Sequence, residues 1–191
     1  AHEFAYLKFG EKNILIGDDK HLWKLSSFFR FTISWLRRIV CIVFPLIMIG
    51  GYIFLSLKPA EIHWQVAWIL YSVASAGAFF NSAIMSFFEG CNSVGLLQSV
   101  RFRVAVCSTL TSLLGLAMGW NIYALSLSLL VNVLVGMAYI ICYFSQPIRQ
   151  MWKNSSIDCY DWWPEFSSLI WRYAISWCSG YFIFQLFTPL A

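Results

Sequence analysis

The chain is predicted to be all-α and membrane-embedded, a polytopic helical bundle with about five transmembrane helices. Three observations lead there: 60% of its 191 residues are hydrophobic, only 12% are charged, and the charges leave long uninterrupted gaps. Soluble domains carry about 25% charged residues, so this chain has half the usual means of remaining in water. No Asp, Glu, Lys or Arg occurs from Ile39 to Leu57, Ile62 to Phe88, Val104 to Ile148, or Tyr173 to Ala191. Roughly 20 apolar residues at 1.5 Å rise cross a hydrocarbon layer of about 30 Å. Three of the gaps therefore hold one crossing each. The third is too long for one helix and is broken at Gly119-Trp120-Asn121, where Gly and Asn favour a tight turn. A soluble helical core would need charged faces recurring within each helix, and these are missing.

The predicted elements run in order as a cytoplasmic segment 1–38, four spans (39–57, 64–88, 104–119 and 122–145), an aromatic cytoplasmic segment 146–172, and a last span 173–191. Within the first segment, Leu22, Leu25, Phe29, Ile33 and Leu36 recur at helical spacing among Lys24, Arg30 and Arg37. That pattern predicts an interfacial amphipathic helix turning into the first span, capped by Gly17-Asp18-Asp19. Orientation follows from basic residues. Of 13 Lys and Arg, every one but Lys58 falls before the first span or in the second and fourth connections. Basic loops stay on the cytoplasmic side, so 1–38, 89–103 and 146–172 are predicted inside. The aromatic residues Trp152, Tyr160, Trp162, Trp163 and Trp171 then form a belt at headgroup level. The polar start lacks a signal-peptide pattern and the chain stops within apolar sequence, so an internal piece of a longer protein is expected.

Six cysteines form no CxxC pair, and His2, His21 and His63 are scattered, so neither a metal nor another cofactor is expected. No ionisable residue sits mid-span, which removes the usual mark of a proton relay. Small and polar stripes remain: Ala74, Ala78, Ser82 and Ser86 with Asn81 on the second span, and Ala124, Ser128, Asn132 and Gly136 on the fourth. Gly115 and Gly119 flank three residues on the third. Such stripes let helices pack closely. They also suit a wet cavity lined by Asn81, Ser82, Ser128 and Asn132, because an unpartnered amide in hydrocarbon costs several kcal/mol. On the last span Trp177, Tyr181 and Gln185 share one face, fit either for helix packing or for stacking on sugars.

Several stretches resemble a known family. The start His2-Glu3-Phe4-Ala5-Tyr6-Leu7, the Gly17-Asp18 followed by Leu25-Ser26-Ser27, the Phe88-Glu89-Gly90-Cys91 after the second span, and Trp171 to Phe187 look like bacterial polysaccharide-export proteins. They resemble O-antigen (oligosaccharide-lipid) flippases of the multidrug/oligosaccharidyl-lipid/polysaccharide flippase superfamily. The resemblance implies a fragment of a two-lobed twelve-helix transporter in the bacterial inner membrane. Four spans would close the first lobe, 146–172 would be the inter-lobe linker and 173–191 the first helix of the second lobe. It further implies alternating-access transport of a lipid-linked oligosaccharide during surface polysaccharide (lipopolysaccharide) assembly, with no catalytic residue. Arg101, Arg103 and Arg172 are the cations available to its pyrophosphate, since none lies mid-span. The partners implied are the lipid bilayer, the lipid-linked oligosaccharide and the remaining helices of the full-length chain, with no nucleic acid. The alternatives are an ion-coupled small-molecule exporter of the same superfamily and a membrane glycosyltransferase or polymerase. The latter would need a catalytic loop, and Asp158, Asp161 and Glu165 form no recognisable motif.

Overall fold

The computed structural model describes residues 7–9, 15–57, 64–154 and 160–187. Two short strands, β1 (Leu7–Phe9) and β2 (Leu15–Gly17), pair antiparallel with Lys8 opposite Ile16. Five helices follow: α1 (Asp19–Ser56), α2 (Gln65–Gly90), α3 (Val94–Ala117), α4 (Ile122–Asn154) and α5 (Trp163–Phe187). The first four are long and apolar enough to cross a membrane, and the protein is membrane-embedded. The chain divides into two compact units, 1–156 and 157–191. The second contains α5, which takes most of the fifth predicted crossing; residues 188–191 lie outside the described ones.

Tight turns connect α2 to α3 and α3 to α4, because residues after each helix accept left-handed backbone. After α3, Gly119 has φ +77°, its N–H donates to the Leu116 carbonyl, and the Trp120 N–H donates back to Gly115 at 2.9 Å. These paired bonds satisfy the last carbonyls of the helix, at the break the sequence predicts. After α2, Asn92 does the same with φ 60°, while the Asn92 and Ser93 amides return to Glu89 and Phe88. Asparagine tolerates this conformation better than other residues with a Cβ.

The register of the bundle is read from contacts between helices. Phe29 meets Phe87 and Phe88, Phe44 meets Phe79, and Tyr52 meets Trp64, so α1 and α2 run antiparallel. The Ser126 hydroxyl donates to the Ala67 carbonyl near one end and Phe88 stacks on Phe144 near the other. Helices α2 and α4 are therefore parallel neighbours. Helix α3 returns against α4 from the Gly119 turn. One end of the bundle thus gathers the start of α1, the end of α2, the start of α3 and the end of α4. It also gathers Lys20, Lys24, Arg30, Arg101, Arg103, Arg149 and Lys153 and is called the basic end.

Three sequence expectations are corrected here. The amphipathic segment does not lie apart as an interfacial helix. Asp18 caps it by accepting the Lys20 N–H at 3.4 Å, and it continues without a turn into the first span as one 38-residue helix. Its apolar face is covered by the bundle: Leu22, Leu25, Phe29 and Leu36 are each buried, and Arg30 lies 5.2 Å over the Trp152 ring. At 1.5 Å per residue α1 is about 57 Å long, nearly twice the hydrocarbon thickness. Helix α4 likewise does not stop at residue 145 but runs through Pro147 to Asn154. Proline supplies no N–H to the Tyr143 carbonyl and costs the helix one bond. Its ring is fully buried, and this packing offsets the loss. Helix α5 also starts earlier than residue 173. Asp161 accepts the Trp163 N–H at 3.1 Å, and Pro164 sits in the first turn, where its missing N–H is harmless.

Candidate functional site

A cavity of about 250 Å³ opens between α2, α3 and α4, lined by Asn81, Ser82, Met85, Arg101, Val104, Asn132 and Gly136 along with Ala78. Its polar wall consists of one amide and one hydroxyl from α2, one amide from α4 and a guanidinium from α3. Three of the four residues expected to line a cavity are thus brought together. Ser128, the fourth, is not among them. Its half-buried hydroxyl donates to its own helix, at the Leu125 carbonyl, 2.9 Å away.

Asn81 is 5% exposed, and its Nδ2 donates to the Val133 carbonyl at 2.9 Å. This bond ties α2 to α4 and relieves the burial cost of the amide. Gly136 leaves room for it, because a Cβ there would lie 3.0 Å from that same Nδ2 and crowd the amide. Gly77 makes the equivalent close approach to Val133, at 2.9 Å. The α2–α4 seam therefore runs through Ala67, Gly77 and Asn81, one position away from the Ala78–Ser82 stripe, which faces the cavity. Asn132 and Ser82 are the polar side chains left to face a ligand. On α3, only Gly115 acts as a packing glycine, against Ala124 at 2.8 Å; Gly119 forms the turn.

Arg101 comes from the first half of α3, inside a helix that begins well before residue 104. It forms an ion pair with Glu89 at 2.8 Å, supported by a 3.4 Å contact from its second nitrogen to the other carboxylate oxygen. Its Nη2 also lies 3.4 Å from the Ser86 hydroxyl. Gln98 donates to the same carboxylate at 2.8 Å. The pair is about one-third exposed, at 36% and 27% for the two side chains. Glu89 thus neutralises the guanidinium and holds it over the mouth of the cavity. Sequence reasoning placed Glu89 at a helix end and missed this partnership. The signal was the Asn92 turn, which folds α3 back so that residues 89 and 101 face each other.

The other predicted cations lie apart. Arg103 is exposed on α3 and hydrogen-bonds Tyr139 and Tyr143, whose rings stack with 6.1 Å between centroids. Arg172 and Trp177 are exposed on α5 in the second unit, Trp177 at 79%. The side chains of Tyr181 and Gln185 lie outside the described residues. No group of His, Cys, Asp and Glu able to hold a metal occurs among the described residues.

Beside the turn, Cys91 is buried among the residues of the basic end, and desolvation pushes its thiol up to about 11. It is an inert packing residue. Cys41, Cys107 and Cys142 are exposed on α1, α3 and α4, where lipid surrounds a membrane-embedded chain, and Cys178 is exposed on α5; Cys159 lies outside the described residues.

Comparison with protein-family models, with curated proteins and with solved structures yields no match to this chain.

Proposed function

We propose that this chain is part of a membrane transporter that moves a lipid-linked oligosaccharide across the bacterial cytoplasmic membrane by alternating access. The observation that carries the reading is the polar cavity between three membrane helices, with Asn132 and Ser82 on its wall and Arg101 at its mouth. Amide and hydroxyl groups suit sugar hydroxyls, and the Arg101 guanidinium, on exchanging Glu89 for the substrate, presents paired donors to a phosphate. The mouth lies at the basic end, which the distribution of Lys and Arg assigns to the cytoplasm, the side where such a substrate is assembled. In the two-lobed reading, α1 to α4 belong to the first lobe and α5 opens the second. The resemblance of residues 2–7, 88–91 and 171–187 to oligosaccharide-lipid flippases supports the same assignment.

A second reading has one specific observation in its favour. Glu89 is a carboxylate bound to a cavity cation, as an ion-coupled exporter of small molecules would use. One experiment separates the two. In a host whose surface glycan depends on the full-length protein, Asn132→Leu combined with Ser82→Ala should lower surface glycan at least tenfold at normal expression. The lipid-linked precursor should accumulate. Unchanged surface glycan would sink the flippase reading, and loss of export of a small cation instead would establish the exporter.

A further inference from the structure

The end of α4 carries two adjoining clefts that the cavity does not use. One, of about 590 Å³, is walled by Ile141, Ser145 and Ile148 and ends at Arg149, Trp152 and Lys153. The other, of about 400 Å³, is formed by Gln146 and Gln150 and shares Arg149 and Lys153 with the first. The two cations are exposed, stand one turn apart and have no acidic partner among the described residues. No Asp or Glu lines either cleft.

We propose that these clefts form a binding site for an anionic glycerophospholipid. The phosphate sits between Arg149 and Lys153, one acyl chain follows Ile148 and Ile141, and the headgroup hydroxyls face the glutamine amides. Depth supports this occupant. Counting about 20 residues from Ile122 across the hydrocarbon brings α4 to Tyr143, so Ser145 to Arg149 stand at headgroup level, Lys153 reaches back to it along its own side chain, and Ile141 lies at the edge of the acyl region. Trp152 marks the same level and is held there by Arg30, 5.2 Å from its ring. Basic pockets on the cytoplasmic side of membrane helices recognise anionic headgroups in this way. Lys153 lies in the last turn of α4, where the helix dipole favours a cation. The site depends on membrane embedding and on the basic end facing the cytoplasm, and does not rest on the transport reading.

The test titrates the purified chain, in neutral detergent, with phosphatidylglycerol or phosphatidylcholine and counts bound lipid by native mass spectrometry. Wild type should retain phosphatidylglycerol preferentially. Arg149→Gln with Lys153→Gln should weaken phosphatidylglycerol roughly 30-fold, each basic residue contributing about fivefold beside an anionic surface, and leave phosphatidylcholine unchanged. Ser145→Trp keeps both charges but fills the cleft, and should weaken phosphatidylglycerol comparably. Arg37→Gln with Arg38→Gln removes the same charge from exposed positions on α1 and should retain the preference. All of these replace exposed side chains, so the fold stands. Undiminished binding in the Arg149/Lys153 or Ser145 variants would overturn the proposal. So would an equal loss in the Arg37/Arg38 variant, or displacement of the lipid by millimolar inorganic phosphate.

Discussion

At the basic end of the bundle, apolar side chains from four helices close on one another; at the opposite end, side chains equally apolar stand outward. Phe29, Phe88, Leu97 and Met151 are at most 3% exposed, whereas Phe54, Leu57, Leu114 and Met118 are between 61% and 77% exposed. The two ends meet different solvents. Helices α1 and α4 overshoot the hydrocarbon at the basic end, where water rewards burial at roughly 25 cal/mol per Å². Within the bilayer, lipid tails are as apolar as leucine and that driving force is gone. There the helices are held by close approach and by single polar bonds: Gly115 on Ala124, Gly77 on Val133, Ser126 to Ala67, Asn81 to Val133. Trp68 adds one more, donating its indole N–H to the Met48 carbonyl at 3.0 Å where Gly51 leaves room for the ring.

The contrast can be broken by substitutions of graded effect, each measured as unfolding free energy of the chain in detergent or bilayer. The largest loss is expected for Phe88→Ala, which removes a ring stacked 4.2 Å from Phe144 at the centre of the basic-end core. About 3–5 kcal/mol should disappear; a loss below 1 kcal/mol would mean that this end is not the anchor of the fold. Gly115→Ala should follow, at about 1–3 kcal/mol, because the new methyl meets the backbone of Ala124 as well as its Cβ. Gly50→Ala, in open space on α1, should be neutral. Ser126→Ala deletes one cross-helix bond and should cost about 0.6 kcal/mol, as is usual between membrane helices. Like Gly50→Ala, Leu46→Ala should change stability by less than about 0.5 kcal/mol, since lipid already covers that side chain.

Sidedness sharpens the comparison further. Cys91 should resist an impermeant maleimide from either side of the membrane up to about pH 9. Its folded thiol ionises only as the pH nears 11, so thiolate appears above the working range. A cysteine introduced at the exposed position Val94 reports the basic end, and one at Met118 reports the other. Labelling of Val94→Cys from outside intact cells would reverse the proposed orientation.

Much of the architecture was legible in the chain. The charge-free gaps mark α1 to α4, and Gly119-Trp120-Asn121 marks the α3–α4 turn. The helix starts were less legible. By charge alone Arg101 and Arg103 fall in the second connection, yet both are helical, because one polar turn at Asn92 is enough to reverse the chain. Asp161 followed by Pro164 is a helix-start signal, which the tryptophan-rich context obscured. For the cavity, the four-residue spacing correctly put Ser82 and Asn132 on candidate faces. It could not tell Asn81, engaged across the seam, from Asn132, turned toward the cavity. That distinction depends on the rotation of α2 against α4.

Membrane embedding, the apolar helices and the sign of the charge at each end follow from the sequence itself, because bilayer thickness and the cost of burying charge act on every residue wherever its neighbours lie. The tertiary structure decided that the amphipathic face of α1 is spent inside the bundle, that Glu89 neutralises Arg101, and that Cys91 is inert. Each of these depends on which helix faces which, and that is set by a few glycines and a register of contacts that no periodicity encodes.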